Sequence, residues 1–150
     1  MGGAILPFIM AFCCVMQPIN EAGLSSEKSP ECIELSIEDA QLMLGVAQSE
    51  SGNQGPDGAW MVLSVIWNRV QSEDYPNTVK DVVSASHQFA DPAAPEDVCP
   101  DVHLALARLE SGDVCPGIIA FEGIKSNVLS KYAKYAFTYR QHKFYTKKED

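Results

Sequence analysis

The spacing of hydrophobic positions changes along the chain, and each change predicts an element. Behind Ser36, apolar residues recur at helical intervals at Ala40, Met43, Leu44 and Ala47, and Ser36 and Asp39 have the spacing of a capping box with Asp in place of Glu. One further turn of that stripe lands on Glu50. After a glycine-rich turn over 51–58, the segment from Ala59 to Val70 is apolar on every face until the pair Asn68-Arg69, which predicts a central buried helix. Tyr75-Pro76-Asn77-Thr78 predicts a turn, and Val79 to Ala85 a short helix leading to His87-Gln88-Phe89. Val102, Ala105, Leu106 and Leu109 predict another helix, stopped by Ser111-Gly112. Gly117 to Phe121 reads as a strand, and part of the aromatic-rich stretch from Tyr132 to Tyr145 as a second strand pairing with it. The expected fold class is α+β, mainly α, with a small antiparallel β element.

Upstream of Ser36 the pattern is different. Ala4 to Met16 is uncharged for 13 residues, too short for the roughly 20 of a bilayer-spanning helix but matched to the apolar region of a secretory signal. Gln17 to Ala22 then supplies a polar break and a small residue for cleavage, although no Lys or Arg precedes the apolar stretch. The alternative is a buried or fraying N-terminal helix. Residues 17–35 are rich in Glu, Ser and Pro and lack periodicity. The expected organisation is therefore a signal peptide over 1–22, a linker over 23–35 and one folded domain over 36–150. Such a protein is secreted or held in the cell envelope, with no stable membrane span once the signal is removed.

Composition narrows the class of partner. The 150 residues carry a net charge of −9, which argues against a general nucleic-acid binder, because phosphate affinity comes from Lys and Arg. The charge is uneven: residues 1–124 hold four basic and 18 acidic side chains, and residues 125–150 hold seven and two. The basic end, with Lys131, Lys134 and Lys143, is where contact with an anionic polymer is expected. Two copies of Asp-Val-Cys-Pro, at 97–100 and 113–116, bracket one predicted helix. A Cys99–Cys115 disulfide closing that loop is expected in an exported protein, with three unpaired thiols as the alternative and Cys32 left over on either reading.

Glu50 is the residue whose position suggests chemistry. A carboxyl on the apolar stripe of a helix, just before a glycine-rich turn, is expected to be partly desolvated, which favours its protonated form. A protonated carboxyl near neutral pH is what glycoside cleavage requires, because the leaving sugar oxygen must receive a proton. The alternative is a glutamate capping the helix end in solvent.

Glu50-Ser51-Gly52, Asn68-Arg69-Val70 after 15 further residues, Tyr75-Pro76-Asn77-Thr78-Val79, Gln88-Phe89 and His142-Lys143-Phe144-Tyr145 together resemble the ordered landmarks of the SleB/CwlJ-type cell wall hydrolases, over roughly residues 38–146. That resemblance implies a compact lysozyme-like domain that cleaves the β-1,4 bond between N-acetylmuramic acid and N-acetylglucosamine in peptidoglycan glycan strands. It further implies a lytic transglycosylase in which Glu50 acts first as acid and then as base, and the muramic 6-hydroxyl replaces water. Hydrolysis by water, as in a muramidase, and a noncatalytic glycan-binding protein are the alternatives. The family usually carries a second Glu four residues after the first, where this chain has Gln54, an amide that can hydrogen-bond sugar but cannot titrate.

By the same resemblance Gln88 and Phe89 are expected to line the cleft, and His142 and Tyr145, in the family's closing motif, to contact substrate, with Tyr145 either stacking on sugar or buried as structure. Asn68 is expected to bond either substrate or a loop, and Arg69 and Asn77 to be scaffold. Asp57 could stand in for the missing Glu if the turn folds back. No cofactor and no metal are implied, and a monomer is expected. A zinc peptidase would need a tight ligand pair, which His87, His103 and His142 do not form in sequence. A cysteine peptidase would have to draw on Cys115 and His142.

Overall fold

The computed structural model describes residues 31–149. The expected signal peptide and most of the expected linker lie outside those residues. Helix α1 spans Ile37–Ser51, and Ser36 Oγ caps it by accepting the Asp39 amide at 3.0 Å. Helix α2 spans Gly55–Val70 and so begins at Gly55 rather than Ala59. The extra turn forms because Pro56 sits in the first turn, where an amide proton has no helical partner, and Gly55 accepts a left-handed φ of 75°. Helix α3 spans Val79–Ser84, capped by the Thr78 hydroxyl, and α4 spans Pro100–Glu110.

Strands β1 (Ile118–Gly123), β2 (Lys134–Tyr139) and β3 (His142–Thr146) form one antiparallel sheet in the order β1-β3-β2. The aromatic-rich stretch is thus a hairpin of two strands, where one had been expected, and β3 is the strand that pairs with β1. The fold class is α+β and mainly helical, as the periodicity implies.

Helix α2 packs against α1, α3, α4 and β1, and Val62, Leu63, Val65 and Ile66 are fully buried. Its apolar faces drive this arrangement, since every face left in water would cost about 25 cal/mol per Å². Trp60 at its N-terminal end donates to the Asp113 carbonyl at 2.6 Å, and the Arg108 guanidinium lies 3.5 Å over its ring. Ile33 donates its amide to Glu110 O, and Ile33 and Leu35 pack on the core, so residues 31–35 are part of the domain surface.

The Cys99–Cys115 bridge is not formed; Cys32, Cys99 and Cys115 are all free thiols. Cys99 and Cys115 lie beyond opposite ends of α4, whose 11 residues span about 16 Å. Their amides are tied to different partners, Cys99 to Gln48 Oε1 at 2.9 Å and Cys115 to Ser64 Oγ at 3.0 Å. A disulfide needs its Cα atoms within roughly 7 Å.

On the face of β1 away from the core, the Glu122 carboxylate organises the β1–β2 connection. It accepts from Ser126 Oγ at 2.6 Å, from the amides of Val128 and Leu129 at 3.0 and 3.2 Å, and from the Tyr145 hydroxyl at 2.5 Å. Lys143 Nζ lies 3.6 Å from it and donates to Ser126 O and Asn127 Oδ1. Lys143 is therefore not one of the free cations of the basic end; Lys125, Lys131 and Lys134 are exposed.

Burial alone would raise the Glu122 carboxyl, but the hydrogen bonds from Ser126, Tyr145, Leu129 and Val128 outweigh it and hold it at about 2, against an ordinary 4.5. Between those values the unfolded chain binds a proton that the folded chain does not, so the carboxylate's stabilisation is complete above 4.5 and lost as pH falls to about 2. Thermal unfolding followed downward from neutral pH is expected to show the wild-type midpoint dropping across that window. Glu122→Gln is expected to start lower and vary less there; equal slopes for the two proteins would contradict the account.

Candidate active site

A cleft of about 520 Å³ lies between the C-terminal turn of α1 and the β2–β3 turn. Its walls are Gln48, Ser49, Glu50, Gly52, Asn53 and Gln54 on one side and Gly123, Gln141 and His142 on the other. Glu50 is the one carboxylate among these lining residues. It is half-buried, and its Oε1 accepts the Ala90 amide at 2.6 Å.

The segment that carries Ala90 is fastened along α1. Ser49 Oγ donates to Asp91 O at 2.7 Å, and the Ala93 amide to Gly45 O at 2.9 Å. Gly45 permits this approach, because a Cβ there would come within 2.8 Å of the Ala93 carbonyl oxygen. The upstream end of the segment is held by Arg69, which is buried at 6% exposure. Arg69 donates through Nε to Ile119 O at 2.6 Å and through a terminal nitrogen to Gln88 Oε1 at 3.0 Å, and its guanidinium lies 5.0 Å from the ring centres of both Tyr75 and Phe89. Desolvation pulls the Arg69 pKa down, with Tyr75 opposing. Phe89 in turn rests against Phe121, with ring centres 6.0 Å apart.

In the same cleft, Gln54 and His142 form a buried polar pair at 3% and 9% exposure. The Gln141 amide can only donate, and at 3.4 Å its acceptor is Gln54 Oε1. That assigns the Gln54 amide so that Nε2 faces His142, where it lies 3.1 Å from Nδ1. The same nitrogen lies 3.5 Å from Nε2, and as a donor it faces an unprotonated nitrogen of a neutral ring. Burial pushes the His142 imidazole below its ordinary value, in keeping with a neutral ring. The ring also packs on Phe121, with centres 4.9 Å apart.

Of the residues expected from sequence, the cleft brings together Glu50, Gln54 and His142. Gln88 and Phe89 do not line it; they are supports beneath the segment that holds Glu50. Asn68 Nδ2 donates to Cys115 O at 2.8 Å and Ile118 O at 2.9 Å, so it bonds a loop and not a cleft ligand. Tyr145 is 1% exposed and cannot stack on a sugar. Burial, together with Glu122, pushes its hydroxyl up to about 12.

Asp57 does not fold back either, because Arg108 holds its carboxylate at 3.0 Å on the side of α4. Burial pushes the Cys115 thiol up, away from the thiolate a cysteine nucleophile needs. Gln48, Asn53, Gly123 and Gln141 were not singled out in sequence. Gln141 had no legible signal, because the turn that delivers it contains no glycine or asparagine.

The model of the family described as Cell Wall Hydrolase matches residues 53–145. None of the curated proteins matches the sequence. Among solved structures, the catalytic domain of the Bacillus cereus SleB protein is similar at 21% identity and a TM-score of 0.63, over 75% of this chain and 93% of that one. The catalytic domain of the germination-specific lytic transglycosylase SleB from Bacillus anthracis is similar at 22% identity and a TM-score of 0.58, over 75% and 97%.

The Gln54–His142 pair generates a spectroscopic expectation. Gln54→Glu would place an anion beside Nδ1 and favour the imidazolium, with Glu50 the other carboxylate on the cleft. The His142 ring proton resonance followed by NMR against pH is expected to titrate higher in that variant, by about one unit or more. An unchanged or lower midpoint would contradict the assigned contact.

Proposed function

The chain belongs to the cell wall hydrolase family, and from that premise we propose that it cleaves the glycan backbone of peptidoglycan as a lytic transglycosylase, with Glu50 as the single acid and base. The observation that carries this reading is a cleft with one carboxylate in it. Two-carboxylate glycosidases place the pair about 5–10 Å apart across the scissile bond. Here the cleft holds Gln54 and His142 beside Glu50, neither of which supplies a second carboxylate.

One carboxyl suffices if the substrate supplies its own nucleophile. Glu50 gives its proton to the oxygen of the breaking bond, the C1–O bond of the muramic residue parts, and the N-acetylglucosamine fragment leaves with its 4-hydroxyl restored. The Glu50 carboxylate then takes the proton from the muramic 6-hydroxyl as that oxygen bonds to C1. The product is a 1,6-anhydro ring, and Glu50 ends protonated as it began. The Ala90 amide on Oε1 orients the carboxyl and leaves Oε2 to carry the proton. His142 and Gln54 serve as hydrogen-bonding groups for the sugar.

Peptidoglycan is the partner and the cell envelope the place of action. Lys125, Lys131 and Lys134 supply the electrostatic contact with an anionic wall.

Digestion of purified peptidoglycan followed by mass spectrometry is expected to release 1,6-anhydromuramyl ends. Glu50→Gln is expected to slow that release by about 10²- to 10⁴-fold with the fold intact. Full activity in Glu50→Gln, or binding of the wall with no cleavage by the wild type, would contradict the proposal.

A further inference from the structure

Beyond the Glu50 cleft lies a second one, of about 570 Å³, walled by Gly123, Ile124, Lys125, Ser126 and Gln141. The two share Gly123 and Gln141, so they are adjoining parts of one groove. Their linings differ. The first is polar and contains the carboxylate; the second presents Ile124, which is 49% exposed, and the Lys125 ammonium, which has no carboxylate partner among the described residues.

Gly123 forms the saddle between them. It pairs regularly with His142, and the one irregularity in the β1–β3 pairing lies further back, between Ile118 and Ala120. A Cβ at Gly123 would meet nothing within 4 Å, and its φ is not in the left-handed region. Neither packing nor backbone conformation therefore calls for glycine at this exposed position. Gly123 ends β1 and its carbonyl accepts the Ser126 amide in the turn that follows, and its lack of a side chain leaves the passage between the two clefts open.

The far wall is preformed. Ile124 donates its amide to Gln141 O at 3.0 Å and Ser126 its amide to Gly123 O at 2.9 Å, and the Ser126 hydroxyl is held by Glu122.

We propose that a substituent of the bound glycan crosses the Gly123 saddle and lies in the second cleft, and that this substituent is the peptide stem of a muramyl residue. The inference rests on the glycan reading of the first cleft. The occupant follows from the chemistry of the walls. Lys125 matches a carboxylate, and Ile124 matches aliphatic carbon. The volume suits a ligand of several residues and greatly exceeds a lactyl group. In this arrangement the protein selects strands by what they carry as well as by their sugars.

The test compares two soluble probes, glycan strands bearing peptide stems and the same strands stripped by an amidase, which keep the lactyl carboxylate. The Glu50→Gln protein is used so that binding is read without turnover. Stems are expected to tighten binding by about tenfold. Gly123→Val, which fills the saddle, and Lys125→Ala, which removes an exposed charge, are each expected to bring the ratio of the two dissociation constants close to one. Equal constants for the two probes in the parent protein, or a preference that survives either substitution, would overturn the inference. Cleavage of the stripped strands by the wild type decides the glycosidase reading separately. A protein that prefers stems through this cleft yet cleaves neither strand would end that reading and leave this one standing.

Discussion

A guanidinium cannot leave water without replacing its hydrogen bonds, and Arg69, at the end of α2, is almost entirely out of water. Its partners are a backbone carbonyl of β1, the amide oxygen of Gln88 and the faces of two aromatic rings, Tyr75 and Phe89. These partners lie on three stretches of the chain: β1, the Tyr75 turn and the segment after α3. Because the charge is delocalised and planar, one side chain can hydrogen-bond in its plane and pack against aromatic rings at once. The sheet, the Tyr75 turn and the segment running on to Ala93 are thereby fixed relative to the central helix. From that segment the Ala90 amide reaches Glu50. The orientation of the carboxyl thus depends on a buried cation that never touches the cleft.

This arrangement divides positioning from chemistry. Glu50 sits on the last turn of α1 and is braced from a loop, while Gln54, just ahead of α2, and His142, the first residue of β3, line the same cleft. Gln54 and His142 are hydrogen-bonded to each other and Gln54 to the Gln141 amide, and burial favours the neutral imidazole, so the pair shapes the cleft without adding charge. Glu122, the other carboxylate close to the groove, points to the opposite face of β1 and is consumed by the loop it holds. With that carboxylate turned away, Glu50 is the one carboxylate among the residues that line the groove, and a reaction that recycles one proton fits it.

Much of this was legible in the residues. The Ser36 cap, the stripe through Met43 and Ala47, and the all-apolar run into Asn68-Arg69 each state their element in local terms, and Glu50 stands out because it extends the stripe by one turn. What was not legible depends on tertiary reach. Arg140-Gln141 has none of the glycine or asparagine that usually announces a two-residue turn, and Arg140 takes a φ of 48° that its sequence does not advertise, so two strands read as one. The repeated Asp-Val-Cys-Pro suggested a bridge, yet a helix between the copies keeps the two cysteines apart. Gln88, Phe89 and Asn68 were found as landmarks, but a polar or aromatic landmark does not say whether it meets a ligand or a neighbouring segment. Here each meets a segment, and Tyr145 is buried because Glu122 needs its hydroxyl.

The central claim is that one carboxylate is enough because the sugar's own hydroxyl closes the reaction. Digesting peptidoglycan in water enriched in oxygen-18 and weighing the new muramyl ends tests it most directly. The account predicts anhydro ends with no heavy oxygen, since C1 is closed by the substrate's O6. Reducing ends carrying oxygen-18 at C1 would contradict it and show that water is the nucleophile.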